Sequence, residues 1–232
     1  MLKQWIRYNV QASNEGSIAH RCRLKRMRIF EDIFAGMFSE EIASDRRISV
    51  LDVGGTWTFW KTLNFKYLDN IDLTLLNLEA PKIPEGIANV KGVAGDATDL
   101  SQYADKEFDL VFSNSVIEHV GYEPEQKKMA DEIMRVGRHY YVQTPNKFFP
   151  IDPHFVFPPY FQFLPLRVKI YLLEHFALTG LRRQKSPSYE VARKNAEGTD
   201  LLTRSRLQKF FPDAAIQREK FMLMTKSFYL YA

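Results

Sequence analysis

Two rhythms of apolar and polar residues run along this chain. From Ile18 to about Phe38, Ile18, Cys22, Met27, Phe30, Ile33, Phe34 and Met37 recur at helical spacing. From Ile48 onward, short apolar runs alternate with helical stretches. Ile48–Val53 reads as a first strand, followed by a helix over 57–68. Ile71–Leu78 is a second strand, Val90–Val93 a short third and Phe108–Phe112 a fourth. A helix over 124–136 begins with Pro124 in its first turn, where a missing N–H costs little. His139–Gln143 is a fifth strand, stopped by Thr144-Pro145-Asn146. Thr203 suits the N-cap of a last helix reaching Phe211, and Ala215–Arg218 and Lys226–Tyr231 read as a closing antiparallel pair.

Strands alternating with helices predict βαβ units, a mainly parallel sheet and helices on both faces. Right-handed crossovers put the strand C-termini on one edge, where ligands bind. Small and acidic residues collect there: Asp52-Val53-Gly54-Gly55-Thr56, then Asn77-Leu78-Glu79, then Gly95-Asp96-Ala97, then Ser113-Asn114. Glycine lets the first of these loops turn sharply and approach a ligand closely. An acid past the second strand suits ribose hydroxyls, since a carboxylate accepts two hydrogen bonds from a diol. Glu79 is preferred for that role, with Asn77 as its neighbour. Asp96 suits the amine of an adenine and Ala97 leaves room for the ring; Asp96 and Thr98 equally suit a helix N-cap.

Between Phe148 and Phe176 the pattern breaks. Aromatic residues crowd among Pro150, Pro153, Pro158, Pro159 and Pro165, which forbid a continuous helix before about Leu166. This reads as a structured insertion over the sheet edge. Its alternatives are a lid on a partly apolar acceptor pocket, a patch touching membrane lipid, or core beneath a long loop; its place after strand five favours the lid. Residues 180–200 are polar and suit a surface loop or short helix.

The series Val50-Leu51-Asp52-Val53-Gly54-Gly55-Thr56, Gly95-Asp96-Ala97, Phe108–Val120 and Thr144-Pro145-Asn146 resembles the class I S-adenosylmethionine-dependent methyltransferases, and within them the type 11 group. The resemblance covers roughly residues 48–147, and Phe221–Ser227 resembles the group's last strand. It implies a Rossmann-like seven-stranded sheet with the last strand antiparallel, and S-adenosylmethionine as cofactor. It also implies that Asp52, Gly54 and Gly55 face the methionine part, Asp96 faces adenine, and Ser113 and Asn114 line the cofactor. At alternate positions after Asp52 the family has glycines, whereas this chain has Gly54, Thr56 and Thr58. The chain then divides into an N-terminal arm and helix, 1–47, and a methyltransferase domain, 48–232, with the insertion at about 148–200.

Methyl transfer requires alignment of a nucleophile, exclusion of water and, for a hydroxyl, removal of a proton. His119, past the fourth strand, and His154, which Asp152 could orient, are the candidate bases. Each also has a purely structural reading. The expected acceptor is a small, partly apolar molecule. Other functions on such a sheet fit less well. A nicotinamide site needs Gly-x-Gly-x-x-Gly, but Thr56 and Phe59 stand at the later positions. Asn114-Ser115-Val116-Ile117 does not resemble the motif of base-methylating enzymes, so no nucleic-acid partner is expected. A catalytically inactive binding module remains the alternative.

Composition adds limits. The 232 residues carry a net charge of +4, which usually signals only a solvated surface. Arg21, Arg23, Lys25, Arg26 and Arg28 lie on the first helix's polar side; without interleaved aromatics they read as a solvated face rather than a phosphate patch. The single cysteine, Cys22, excludes an internal disulfide and fits a reducing compartment. No metal-ligand set is assigned. No apolar run is long enough to span a membrane, and the N-terminus lacks a signal-peptide core, so a cytoplasmic protein is expected.

Overall fold

The computed structural model describes residues 8–9, 14–155, 157–178 and 185–232. The expected N-terminal arm falls largely outside the described residues, as does the start of the polar stretch at 180–200. Seven helices are described: α1 (Ile18–Met37), α2 (Ser39–Ala43), α3 (Trp57–Leu63), α4 (Glu123–Val136), α5 (Leu166–His175), α6 (Tyr189–Glu197) and α7 (Arg204–Phe210). Seven strands form one sheet: β1 (Ile48–Val53), β2 (Ile71–Asn77), β3 (Val90–Ala94), β4 (Phe108–Asn114), β5 (Gly137–Pro145), β6 (Ala215–Phe221) and β7 (Met224–Tyr231). No helix among the described residues is long and apolar enough to cross a membrane.

The strand order is β3-β2-β1-β4-β5-β7-β6. Strands β1 to β5 pair in parallel, whereas β7 runs antiparallel to both β5 and β6. This is the Rossmann-like sheet with an antiparallel last strand that the sequence implies. The chain winds outward from β1 to β3, then returns to lay β4 on the other side of β1. The loops after β1 and β4 therefore part and leave a crevice at the strand C-termini.

Each face of the sheet is covered. On one side Leu51, Val53 and Val111 pack with Met129 and Ile133 of α4 and with Leu207 and Phe210 of α7. On the other, Val50, Leu73, Phe112 and Tyr141 pack with Met27, Phe30 and Phe34 of α1 and Trp60 of α3. Covering on both faces is why β1 reads as a nearly continuous apolar run rather than an alternation. The insertion builds a third cluster, in which Phe155 and Phe161 pack against Ile170 and Leu173 of α5 and Ala192 and Ala196 of α6. Part of its aromatic content is core; Phe148, Phe157 and Tyr160 are exposed. Helix α5 starts at Leu166, immediately after the last proline of the run.

Phe30 anchors helix α1 against the sheet. Phe30 is 2% exposed, and its centroid lies 4.8 Å from both Phe112 and Tyr141 and 5.3 Å from Phe65. Ser17 caps the helix, its hydroxyl accepting from the His20 N–H. We predict that Phe30→Ala lowers the unfolding free energy by about 3–5 kcal/mol, the usual cost of a vacated aromatic site. Urea unfolding measures this as a fall in midpoint at constant slope; a loss below about 1 kcal/mol would mean that α1 is held by something else.

Candidate cofactor site and histidine cluster

The loop after β1 is shaped by what lies beneath it. Asp52 is buried, and its carboxylate accepts a hydrogen bond from Trp60 Nε1 at 2.7 Å. A Cβ on Gly55 would stand 2.0 Å from Asp52 Oδ2, so only glycine fits there. Gly54 has φ +82°, the left-handed region that favours glycine, and its N–H donates to Leu76 O at 2.7 Å. Thr56 then caps α3, its Oγ1 accepting from the Phe59 N–H at 3.4 Å. Where the family pattern has glycine, this chain thus uses the position for a helix cap.

A cavity of about 330 Å³ opens against this turn, lined by Gly54, Gly55, Thr56, Phe112, Asn114, Ser115 and two arginines of α1. The arginines correct the expectation of a solvated basic face. Arg21, Lys25 and Arg28 are exposed, but Arg23 and Arg26 are half-buried and reach the cavity. Arg26 Nη1 lies 3.5 Å from the buried carboxylate of Glu219 on β6, which is also held by Ser227 and Lys226. Among the described residues Arg23 has no such partner. Its Nε is buried and unbonded among the described residues, and its guanidinium stands 5.8 Å over the Phe59 ring. Burial and the neighbouring Arg26 charge lower its pKa. Burial and a like charge both disfavour this guanidinium, and no acid among the described residues compensates it.

The other predicted residues divide. Asn114 lines the cavity. Ser113 alternates to the opposite face, where its Oγ donates to Val53 O at 3.3 Å. Asn77 reaches back to the glycine turn, Nδ2 donating to the Gly54 and Gly55 carbonyls at 3.4 and 3.5 Å. Glu79 is exposed past β2 and does not line the cavity. Asp96 is exposed, and its Oδ1 accepts from the N–H and hydroxyl of Thr98, both at 2.8 Å; the cap it forms closes a turn, since no helix follows. Ala97 packs into the core.

His119 and His154 come together although 35 residues separate them. Their Nε2 atoms are 3.0 Å apart, with the rings perpendicular. Asp152 Oδ1 lies 2.7 Å from His154 Nδ1, the partnership the sequence suggests. His119 Nδ1 faces Gly198 O at 3.3 Å. Beneath the rings sits Glu118, fully buried, with one oxygen accepting from Thr144 Oγ1 at 2.9 Å and the other unpartnered among the described residues. Burial pushes the Glu118 carboxyl up to about 7. Burial and the His154 charge lower His119; for His154, burial is outweighed by the Asp152 hydrogen bond and charge, which raise it. Asp152 also lines a second cavity of about 210 Å³ beneath the insertion, with Lys147, Phe155, Phe161 and Gln162.

Sequence reading assigned no site role to Arg23, Arg26 or Glu118. For Glu118 a signal existed, an acid directly before His119 in a loop leaving a strand. For the arginines the signal was their helical spacing with Met27 and Phe30, although the Glu219 partner of Arg26 comes from the far end of the chain.

Burial pushes the Asp52 carboxyl up to about 7 despite the Trp60 hydrogen bond, which pulls it down. The folded chain therefore holds this proton more tightly than the unfolded chain. The resulting stability is complete below the ordinary value of 3.8 and is lost as pH rises through about 7. We predict an unfolding free energy that declines across this window and declines less in Asp52→Asn. Urea titrations at stepped pH measure both slopes, and identical slopes would mean that Asp52 ionises freely in the fold.

A family model described as a methyltransferase domain, of the type 11 group, matches residues 51–139. Two uncharacterized proteins of Mycobacterium tuberculosis, from strains CDC 1551 and H37Rv, are 36% identical over 58 residues. That stretch is 25% of this chain and spans only 20% of each relative's length. Among solved structures, the DszA carbon methyltransferase superposes at a TM-score of 0.53 with 8% identity, covering 94% of this chain and 55% of its own. The Burkholderia thailandensis 1,6-didemethyltoxoflavin-N1-methyltransferase, solved with S-adenosylhomocysteine, has a TM-score of 0.49 and 14% identity, covering 89% of this chain and 76% of its own. Residues 51–139 thus resemble a methyltransferase domain, and the sheet order around them is that of a Rossmann-like fold.

Proposed function

We propose that this chain binds S-adenosylmethionine at the glycine turn and transfers its methyl group to a small acceptor. The observation that carries this reading is Arg23, a half-buried guanidinium without an acid, facing the cavity at Gly54 and Gly55. The cofactor's methionine end brings a carboxylate, the group Arg23 lacks. The glycine turn lets backbone approach the ligand, and Asp52 lies beneath it. Asn114 lines the wall from β4, and Ser113 supports that wall by tying β4 to β1. Glu79 and Asp96 stand on the side of the edge that would receive ribose and adenine. Asn77 holds the turn in place, and Ala97 leaves space beside Asp96.

The sulfonium supplies an activated methyl group, so the protein's work is alignment, desolvation and handling of the acceptor's proton. The cluster of His119 and His154 stands where the acceptor's reacting atom is received. Gly198 and Asp152 each engage an Nδ1 atom, so the nitrogens left over are the two Nε2 atoms, which face one another. The insertion lies over this side, and its cavity offers Phe155 and Phe161 beside Lys147 and Gln162 to an acceptor with apolar and polar parts. The exposed aromatics of the insertion suit an acceptor of lipid-like character. A protein of the cell interior is the setting that fits this cofactor and the single cysteine.

Calorimetry with S-adenosylmethionine tests the reading. Loss of one charge-assisted hydrogen bond, worth about 1.5–3 kcal/mol, corresponds to roughly a tenfold to hundredfold weaker cofactor in Arg23→Ala. Glu79→Ala and Asp96→Ala are expected to weaken binding as well. If the wild-type chain takes up no cofactor, the methyltransferase reading fails; if Arg23→Ala binds as well as wild type, the placement of the carboxylate fails. Turnover in a screen of hydroxylated, amine and lipid-like acceptors separates an enzyme from a binding module that holds the cofactor without using it.

A further inference from the structure

The contact between His119 and His154 is unusual in what it implies about protons. A carbonyl oxygen only accepts, so the Gly198 contact places the proton of His119 on Nδ1. A carboxylate also accepts, so Asp152 places the proton of His154 on Nδ1. In the neutral rings both Nε2 atoms are then bare lone pairs, and they face one another at 3.0 Å. Two acceptors at this distance repel unless a positive centre lies between them. Two nitrogens bound at 2.0–2.1 Å to one tetrahedral zinc stand about 3.3 Å apart, close to the separation of this pair.

A third donor is in place. A ligating oxygen of Glu118 and one nitrogen from each histidine all lie within 4.8 Å of one another. Glu118 is fully buried, and its Oε1 has no partner among the described residues. A buried carboxylate oxygen left unbonded is costly, and a cation would satisfy it. Behind the ligands, Asp152 orients His154 and Thr144 holds the other Glu118 oxygen, as outer partners of a metal site do. His119 keeps an exposed side, which provides an entry path.

We propose that Glu118, His119 and His154 form a binding site for a divalent transition-metal cation of the zinc class. Two imidazoles and one carboxylate favour such a cation over magnesium or calcium, which prefer an all-oxygen shell. Three protein ligands leave a coordination position open, the arrangement of reactive rather than purely structural sites. On the reading that the chain transfers methyl groups, that position takes the acceptor's hydroxyl oxygen. Bound there, the hydroxyl gives up its proton to water more readily. Its oxygen then forms the new bond to the methyl carbon as the carbon–sulfur pair returns to sulfur, leaving S-adenosylhomocysteine.

The test uses the full chain, freed of metal by a chelator and titrated calorimetrically with zinc chloride. One cation per chain is expected. His119→Ala and His154→Ala should each weaken it at least tenfold, and Asp152→Asn about tenfold to a hundredfold, as for other outer partners. Nuclear magnetic resonance of the wild-type chain, labelled at its histidine nitrogens, needs no variant: zinc should shift Nε2 of both His119 and His154. Absence of zinc uptake at about 1 mM would overturn the site. So would unmoved ring signals, which would leave a shared proton as the positive centre, or undiminished binding in His154→Ala. A parallel titration with S-adenosylmethionine separates the two failures, since cofactor binding without zinc binding sinks only the metal site, and the reverse sinks only the methyl-transfer reading.

Discussion

A carboxylate buried beneath a turn of two glycines is the constraint on which this site depends. Asp52 sits at the end of the central strand, where water is excluded, and the Trp60 indole donates a hydrogen bond to its carboxylate. The space above it admits no Cβ, which forces glycine at 55 and brings the backbone down into the crevice. The indole donor comes from α3, so the helix after the turn and the strand before it are tied through one buried bond. Asn77 pulls the same turn toward β2 from the other side. The loop is thus held in shape before any ligand arrives, which lowers the ordering cost of binding.

Around that turn the molecule gathers titratable groups of both kinds. The arginines of α1 stand on one side of the sheet edge, and the Glu118, His119 and His154 cluster stands farther along the loop that leaves β4. Asn114 and Ser115 line the cavity at the glycine turn and Glu118 belongs to the histidine cluster, so a few residues of chain join the two. Desolvation strengthens both. Among the described residues Arg23 has no acid and Glu118 one unpartnered oxygen, and each is costly as it stands.

Much of the architecture could be read from local pattern. Buried strands such as Ile48–Val53 and Phe108–Asn114 carry apolar residues on both faces, and this run survives any detail of packing. The glycine turn and the two histidines were legible because their chemistry is written in residue type. What escaped depended on contacts distant in sequence. Arg23 and Arg26 share the helix face of the buried Met27 and Phe30, which Arg21 and Arg28 do not, but only the packing against Phe59 and the Glu219 carboxylate shows what they meet. Ser113 and Asn114 look alike in sequence, yet strand alternation sends one to each face. Thr56, a departure from the glycine pattern, is explained only by the helix it caps.

The bond between Arg26 on the first helix and Glu219 on the sixth strand spans 193 positions of sequence. During synthesis from the N-terminus, α1 emerges first and has its aromatic partners once β5 is made, but the acid that fixes Arg26 arrives only with the closing hairpin. The wall beside the glycine turn is therefore finished last, after the parallel core that supports it. Ligand binding at this wall would then report that the β6–β7 hairpin has docked, and not merely that the parallel core has folded.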